Sequence, residues 1–198
     1  MAQTCKVVAI EHLTLDGVYQ APARTDEDKR GGFKHGGWSV ATDDPQMQQV
    51  ISQYMGGGWS LLAGSTTYED LYEGWHVRQP ENPITKALTT AQKFVASHEA
   101  DYKLPWENST LLKGDAADAV AELKVNYDKT LIIFGSGVLV RSLMERGLVD
   151  EMVLMIHPVV LGEGRHFFDD APFTQFTLMD EATTETGVMV STYKLATV

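Results

Sequence analysis

The sequence predicts an α/β domain with a mostly parallel central sheet, antiparallel C-terminal strands and helices on both faces. Three observations carry this expectation. The unbroken apolar run Leu131–Phe134 reads as a strand buried on both faces, as in parallel sheets covered by helices. Strand-like and helix-like patterns alternate from Lys6 to Met144, whereas the chain after Val149 carries strand signals alone. With 198 residues, 43% of them hydrophobic and 22% charged, the chain has enough material for one full core, so residues 1–198 are expected to be a single domain.

In order, Lys6–Leu15 reads as the first strand, closed by a turn at Asp16-Gly17. Residues 20–37 are polar and glycine-rich, a long loop of the kind that is functional or mobile. Asp43 or Asp44 caps a helix with Pro45 in its first turn. Its residues Met47, Val50, Ile51, Tyr54 and Met55 share one face. Trp59–Ala63 is a short strand that passes through Gly64-Ser65-Thr66-Thr67 into a helix over Tyr68–Tyr72. Ile84–Thr90 reads as a short helix, Lys93–Ser97 as a strand, Trp106–Ser109 as a turn and Thr110–Lys113 as another strand. Asp115 caps a helix to about Asn126, with Val120 and Leu123 inward. After the central strand, Gly135-Ser136-Gly137 opens a helix that Gly147 stops. Val149–Val160 reads as a long strand, and Phe173–Met179 with Val188–Leu195 as a closing antiparallel pair.

The two strand–glycine–helix junctions, at Gly64 and Gly135, are the features with chemical content. Each leaves free N–H groups at the positive end of a helix, which suits a phosphate. A dinucleotide diphosphate can be held between two such ends. Glycine pairs are also common at any tight strand-to-helix turn. The second junction is no Rossmann fingerprint, because Val140 stands where a third glycine is expected.

The formal net charge is −11 and there is no Lys/Arg cluster, so nucleic acid and anionic membranes are poor partners. Cys5 is the single cysteine, excluding an intrachain disulfide. The apolar stretch Val7–Ile10 is too short for a signal peptide or membrane span, so a cytoplasmic location is expected. The six histidines show no paired metal-ligand spacing, and no metal site is expected.

An ordered series of segments then becomes specific: Leu13-Thr-Leu-Asp-Gly17, Leu62-Ala-Gly-Ser-Thr-Thr-Tyr-Glu69, Lys93-Phe-Val-Ala-Ser97, Phe134-Gly-Ser-Gly-Val-Leu139, Gly147-Leu-Val-Asp-Glu151 and His157-Pro-Val-Val-Leu-Gly-Glu-Gly164. Together they resemble the dihydrofolate reductase-like superfamily, and more closely the reductase domain of the riboflavin-biosynthesis deaminase/reductases. The zinc-binding deaminase half has no counterpart in these residues. The resemblance implies an eight-stranded sheet, a homodimer, NADPH as cofactor (NADH possible) and hydride transfer to a pterin- or pyrimidine-type small molecule. The implied activity is that of a 5-amino-6-(5-phosphoribosylamino)uracil reductase. A non-catalytic member acting as a binding or interaction protein is the alternative.

By the same resemblance, Gly64, Ser65, Thr66 and Thr67 face one part of the cofactor diphosphate, and Gly135, Ser136, Gly137 and Val138 another. Ser97 and His98 lie where the family meets the adenosine 2′-phosphate. Relatives usually carry arginine at the positions of Ser65 and His98, so discrimination between NADPH and NADH is expected to be weak. Asp16 is the candidate to contact substrate or relay a proton, though Asp-Gly is equally a common turn pair. Glu151 is a second catalytic candidate. Glu163, in its glycine loop, and Trp38 are candidates for substrate contact. Trp75 and Tyr68 could also stack on a flat ring, with Tyr68 better read as core. The first helix, Pro45–Met55, carries no acid, which argues against true dihydrofolate reductase activity.

Overall fold

The computed structural model describes residues 5–196. An eight-stranded sheet has the order β4-β3-β2-β5-β1-β6-β8-β7. Its strands are β1 Val7–Thr14, β2 Trp59–Gly64, β3 Gln92–Ala96, β4 Ser109–Leu112, β5 Thr130–Phe134, β6 Glu151–His157, β7 Phe176–Thr183 and β8 Met189–Leu195. All pairings from β4 through to β6 are parallel; β8 and β7 add antiparallel strands at the far edge. β5 lies between β2 and β1, so its apolar run is covered on both sides.

Five helices complete the layers: α1 Pro45–Met55, α2 Ser65–Leu71, α3 Pro83–Thr90, α4 Ala116–Asn126 and α5 Gly137–Met144. α2 runs on into a π-helical stretch, Tyr72–Val77. Side chains that alternate along β1 separate two cores. Val7, Ala9 and Leu13 pack with α4 and α5, whereas Val8 and Ile10 pack with α1, α2 and α3. On β6, Met152 and Leu154 join the first core and Val153 and Met155 the second, as the alternation requires.

The helix starts follow from their caps. Asp44, not Asp43, accepts the Gln46 N–H at 2.9 Å. Asn82 accepts from Ile84 N, and Asp115 accepts from both Ala117 N and Asp118 N. Each such cap is worth ~1 kcal/mol. Gly147, at φ +61°, ends the turn after α5 in the left-handed conformation glycine favours.

Three expectations need correction. The strand expected over Val149–Val160 is confined to Glu151–His157. Before it, the Asp150 carboxylate is drawn to Val7 N (2.7 Å) and to Lys124; after it, Pro158 has no N–H to give to a ladder. The strand expected at Phe173–Met179 lies at Phe176–Thr183. That strand is the sheet edge and mostly exposed, so Asp180 and Glu181 sit within it and no apolar alternation marks its bounds. The helix expected over Tyr68–Tyr72 lies at Ser65–Leu71. Trp106 opens the turn expected there, is 1% exposed, and donates from its indole to Thr89 Oγ1 at 3.0 Å. Tyr68 is core, its hydroxyl accepting the Trp106 N–H at 2.9 Å.

Among the described residues, no helix is long and apolar enough to cross a membrane.

Candidate active site

Adjacent strands β2 and β5 send their helices to opposite faces of the sheet: α2 packs with the α1 side, α5 with the α4 side. A crevice therefore opens at the carboxyl ends of these strands, where open α/β sheets bind ligands. The two glycine junctions meet there. The Gly64 N–H donates to Ser136 Oγ at 3.0 Å. This bond helps hold Ser136 in a left-handed conformation, φ +62°, that a non-glycine residue adopts only under constraint. Gly137 is required by close approach, because a Cβ there would lie 2.7 Å from the Tyr19 ring.

The crevice widens into a cleft of about 260 Å³. Its origin is a mismatch in strand length. The β1–β5 pairing ends at Ile10 opposite Phe134, yet β1 continues to Thr14 beside β6. Beyond Phe134 the chain turns away through Gly135 and Ser136, leaving a notch beside Glu11 and His12. Residues on opposite faces of β1 thus both reach the cleft. One wall is Ile51 and Met55 of α1 with Leu71 and Trp75; another is the loop from Gln20 to Arg30.

Glu11 is 2% exposed, and its Oε1 is enclosed without a hydrogen-bond partner. Burial holds its carboxyl well above the usual carboxylate range, which favours the protonated, neutral form. His12 Nδ1 shares a 2.8 Å hydrogen bond with His157 Nε2, and His157 Nδ1 a 2.6 Å bond with Thr42 Oγ1. Burial lowers both imidazoles to about 4, with His157 adding to the effect at His12, so the pair is neutral at pH 7. On α2, burial and the Glu27 carboxylate push Asp70 up to about 7. Arg30 is clamped by Asp28, through Nε at 2.8 Å and Nη2 at 2.5 Å, and its Nη1 donates to Thr66 Oγ1 at 3.4 Å.

The residues expected from sequence distribute as follows. Gly64–Thr67 and Gly135–Gly137 come together; a Cβ at Gly135 would lie 3.4 Å from the Thr67 side chain, and Val138 is 58% exposed at the start of α5. Ser97 and His98 follow β3, whose Ala96 pairs with Gly64, so they stand beside the first junction. Ser97 Oγ accepts the Glu99 N–H at 3.1 Å.

Asp16 lies outside the cleft lining. It accepts from Thr14 Oγ1 at 2.6 Å and from Gly162 N at 2.8 Å, tying the turn after β1 to the 161–164 loop. The Thr14 hydroxyl first, then these backbone N–H groups, hold its carboxyl down to about 2. Glu151 is separated from the crevice. β6 runs parallel to β1, and Glu151 pairs with Val8 at the opposite end of the sheet, ion-paired with Lys6 at 2.5 Å. Glu163 faces His35 at 3.3 Å, half-exposed. Trp38 stands behind the histidine pair: its indole donates to Gln20 O at 2.7 Å and its ring meets His157 edge-on at 5.3 Å. Lys93 is buried beneath the C-terminus of α3, donating to three carbonyls there, and Arg141 donates to Phe167 O.

Glu11, His12, Arg30 and Asp70 were not singled out from sequence. Glu11 and His12 did leave a signal, as two ionisable residues interrupting an apolar strand. Arg30 and Asp70 left none, being charges among charges.

The model of the RibD C-terminal domain family matches residues 6–190. The uncharacterised protein YyaP of Bacillus subtilis (strain 168) is 31% identical over 141 residues, 67% of this chain and 69% of YyaP. A putative riboflavin biosynthesis protein from Shewanella sp. PV-4 has a TM-score of 0.74 at 19% identity, over 97% of this chain and 99% of that one. Dihydrofolate reductase from Enterococcus faecalis, solved with NADP(H) and RAB-propyl, has a TM-score of 0.63 at 14% identity, over 97% of both chains. These two structures share the dihydrofolate reductase-like fold with this chain. With a family match running from the first strand into the last, the chain belongs to the RibD C-terminal domain family.

Proposed function

We propose that this protein is an NAD(P)H-dependent reductase that transfers a hydride to a pterin- or pyrimidine-type small molecule. Membership of the RibD C-terminal domain family supports a reductase-type function. The observation that carries the reading is the notch, where a neutral buried acid stands beside two joined glycine junctions and opens on an apolar cleft.

The residues fit a nicotinamide dinucleotide. Gly64–Thr67 and Gly135–Val138 offer N–H and hydroxyl donors to a diphosphate, and Arg30, ion-paired with Asp28, reaches the first junction through Thr66. Ser97 and His98 face the adenosine end. When bound, the reduced nicotinamide supplies the hydride. The protonated Glu11 carboxyl is the group we assign to hold the proton that must reach the substrate heteroatom beside the reduced carbon. His12, kept neutral and oriented by His157, offers a ring nitrogen to the substrate without adding charge. Asp16 acts on this site by fixing the turn from which Tyr19 and Gln20 enter the cleft wall. Glu163 and Trp38 keep a role at the substrate side only through the loops they hold.

A homodimer through the β7 edge belongs to the same proposal. Leu178 and Met179 are 46% and 59% exposed on that strand. β8, which carries the apolar tail, lies inside the sheet.

The test is titration with NADPH and NADH at pH 6 and pH 8, following tryptophan fluorescence, since Trp75 lines the cleft. Binding of both, with less than about tenfold preference (~1.4 kcal/mol) at pH 8, is expected. No binding of either would overturn the reading. A hundredfold NADPH preference that disappears in Arg30→Gln would place the 2′-phosphate on Arg30.

A further inference from the structure

The cleft carries an unbalanced set of charges. Its lining includes four carboxyl groups, Glu11, Glu27, Asp28 and Asp70, against one cation among the described residues, Arg30. Arg30 is engaged on two nitrogens by Asp28. Glu27 accepts the N–H groups of Ala23 and Arg24, at 2.8 and 3.0 Å, which fixes its side chain at the rim. Acidic residues alone would be a solvated edge. Here a second observation points inward: the enclosed Oε1 of Glu11, at the floor of the same cleft, lacks a donor. The lining also includes the apolar side chains of Ile51 and Leu71 and the aromatic rings of Trp75 and Phe134.

Resting on the reductase reading, we infer that the substrate is a flat, cationic or N–H-rich heterocycle without a phosphate group, anchored by Asp70 and Glu27 at the rim. The geometry supports this in two ways. N–H donors on a flat ring would satisfy the Asp70 carboxyl and the Glu11 Oε1, which no donor among the described residues reaches, and a positive charge would relieve the repulsion between Asp70 and Glu27. A phosphate dianion at the same rim would meet like charge, with Arg24 and Arg30 already paired with Asp26 and Asp28. The phosphoribosylated pyrimidine implied by the family resemblance is therefore the wrong class for this cleft. Specificity differs from that of a phosphoribosyl-substrate reductase through Asp70, presented from α2 where α1 has no acid.

The test uses three matched flat probes on the full chain: benzamidine, a permanent cation; benzamide, its neutral counterpart; and phenyl phosphate. Binding is followed by tryptophan fluorescence at pH 6 and pH 8, with and without saturating NADPH. Benzamidine is expected to bind at least tenfold more tightly than benzamide at pH 8, and phenyl phosphate more weakly than either. Benzamidine affinity should rise about fivefold from pH 6 to pH 8 as Asp70 loses its proton. The charged groups facing Asp70 are Glu27, Asp28, Arg24 and Arg30 from the loop, with Glu11 and His12 across the cleft. Asp70→Asn should remove both the pH step and the tenfold preference while leaving benzamide binding unchanged. Glu27→Gln should weaken benzamidine binding about threefold and lower the midpoint of the pH step. Phenyl phosphate binding as tightly as benzamidine, an unchanged preference in Asp70→Asn, or no binding of any probe would overturn the inference. NADPH binding in the same samples separates the two readings: its absence overturns the reductase, and its presence with a reversed probe order overturns the substrate class alone.

Discussion

The turn after β1 and the notch in the middle of β1 lie on one short stretch of chain, and they treat their acids in opposite ways. Asp16 is surrounded by donors, Thr14 Oγ1 and the N–H groups of Leu161 and Gly162, which favour the charged form. Glu11 is enclosed with none for its Oε1, which favours the neutral form. The first is an acid used as a clamp between two loops. The second is an acid kept uncharged, a state with chemical use in a reductase and a cost in stability. The motif residue ties two loops together, and the acid we propose as reactive belongs to no motif.

Experiments can break this comparison at several points. Among the substitutions read at pH 7, Asp16→Ala should have the largest effect, about 1–2 kcal/mol lost, because donors in both loops then lose their acceptor at a partly solvated turn. The folded-state pKa of Asp16 is depressed, so its contribution is present above the unfolded value near 4 and is lost as pH falls through about 2. Urea unfolding at pH 7 and at pH 2 should show the Asp16→Ala deficit shrinking. A deficit of equal size at both would mean Asp16 does not act through its charge.

The histidine pair should give a stability change of about 3 kcal/mol for each imidazole across a different window. Both imidazoles are lowered to about 4, so the folded state takes up fewer protons than the unfolded state between about pH 6.5 and pH 4, and stability falls as pH falls through that range. Denaturant midpoints for His157→Gln should slope less steeply there than those of the wild type. An unchanged slope would place the acid sensitivity elsewhere.

Asp70 should behave in the reverse sense. Its folded pKa is raised to about 7, so the stability it allows is full below about pH 4 and is lost as pH rises through 7. Asp70→Asn should therefore be more stable than wild type at pH 8 by about 1 kcal/mol, and no more stable at pH 4. Thermal unfolding at the two pH values reads this directly; a variant less stable at pH 8 would assign Asp70 a structural contact instead.

The smallest effect on the monomer belongs to the β7 edge. Leu178→Lys should alter monomer stability by less than about 0.5 kcal/mol. Light scattering should nevertheless show the variant as a monomer and the wild type as a dimer at micromolar concentration. A wild-type monomer would remove the edge from the proposal.

Much of the fold was legible because its determinants are local or periodic. The run at Leu131–Phe134, the caps Asp44 and Asp115, the glycine at 147 and the face of α1 each depend on near neighbours in sequence. The glycine junctions were legible for the same reason. β7 escaped because an exposed edge strand imposes no alternation, and Trp106 because its burial depends on Tyr68 and Thr89, distant in sequence.

By itself the sequence determined the α/β class, the two anion-suited junctions and, through the ordered motifs, the family. Only the tertiary structure decided the site. The notch exists because β1 outruns β5, a relation between strands far apart in the chain that residue patterns do not encode. The same holds for charge state. Asp16 and Glu11 are both carboxylic acids near the end of one strand. Whether each is ionised depends on which donors and how much water the folded chain leaves around it, and that is set by contacts with residues 161–162 in one case and by enclosure within the cleft in the other.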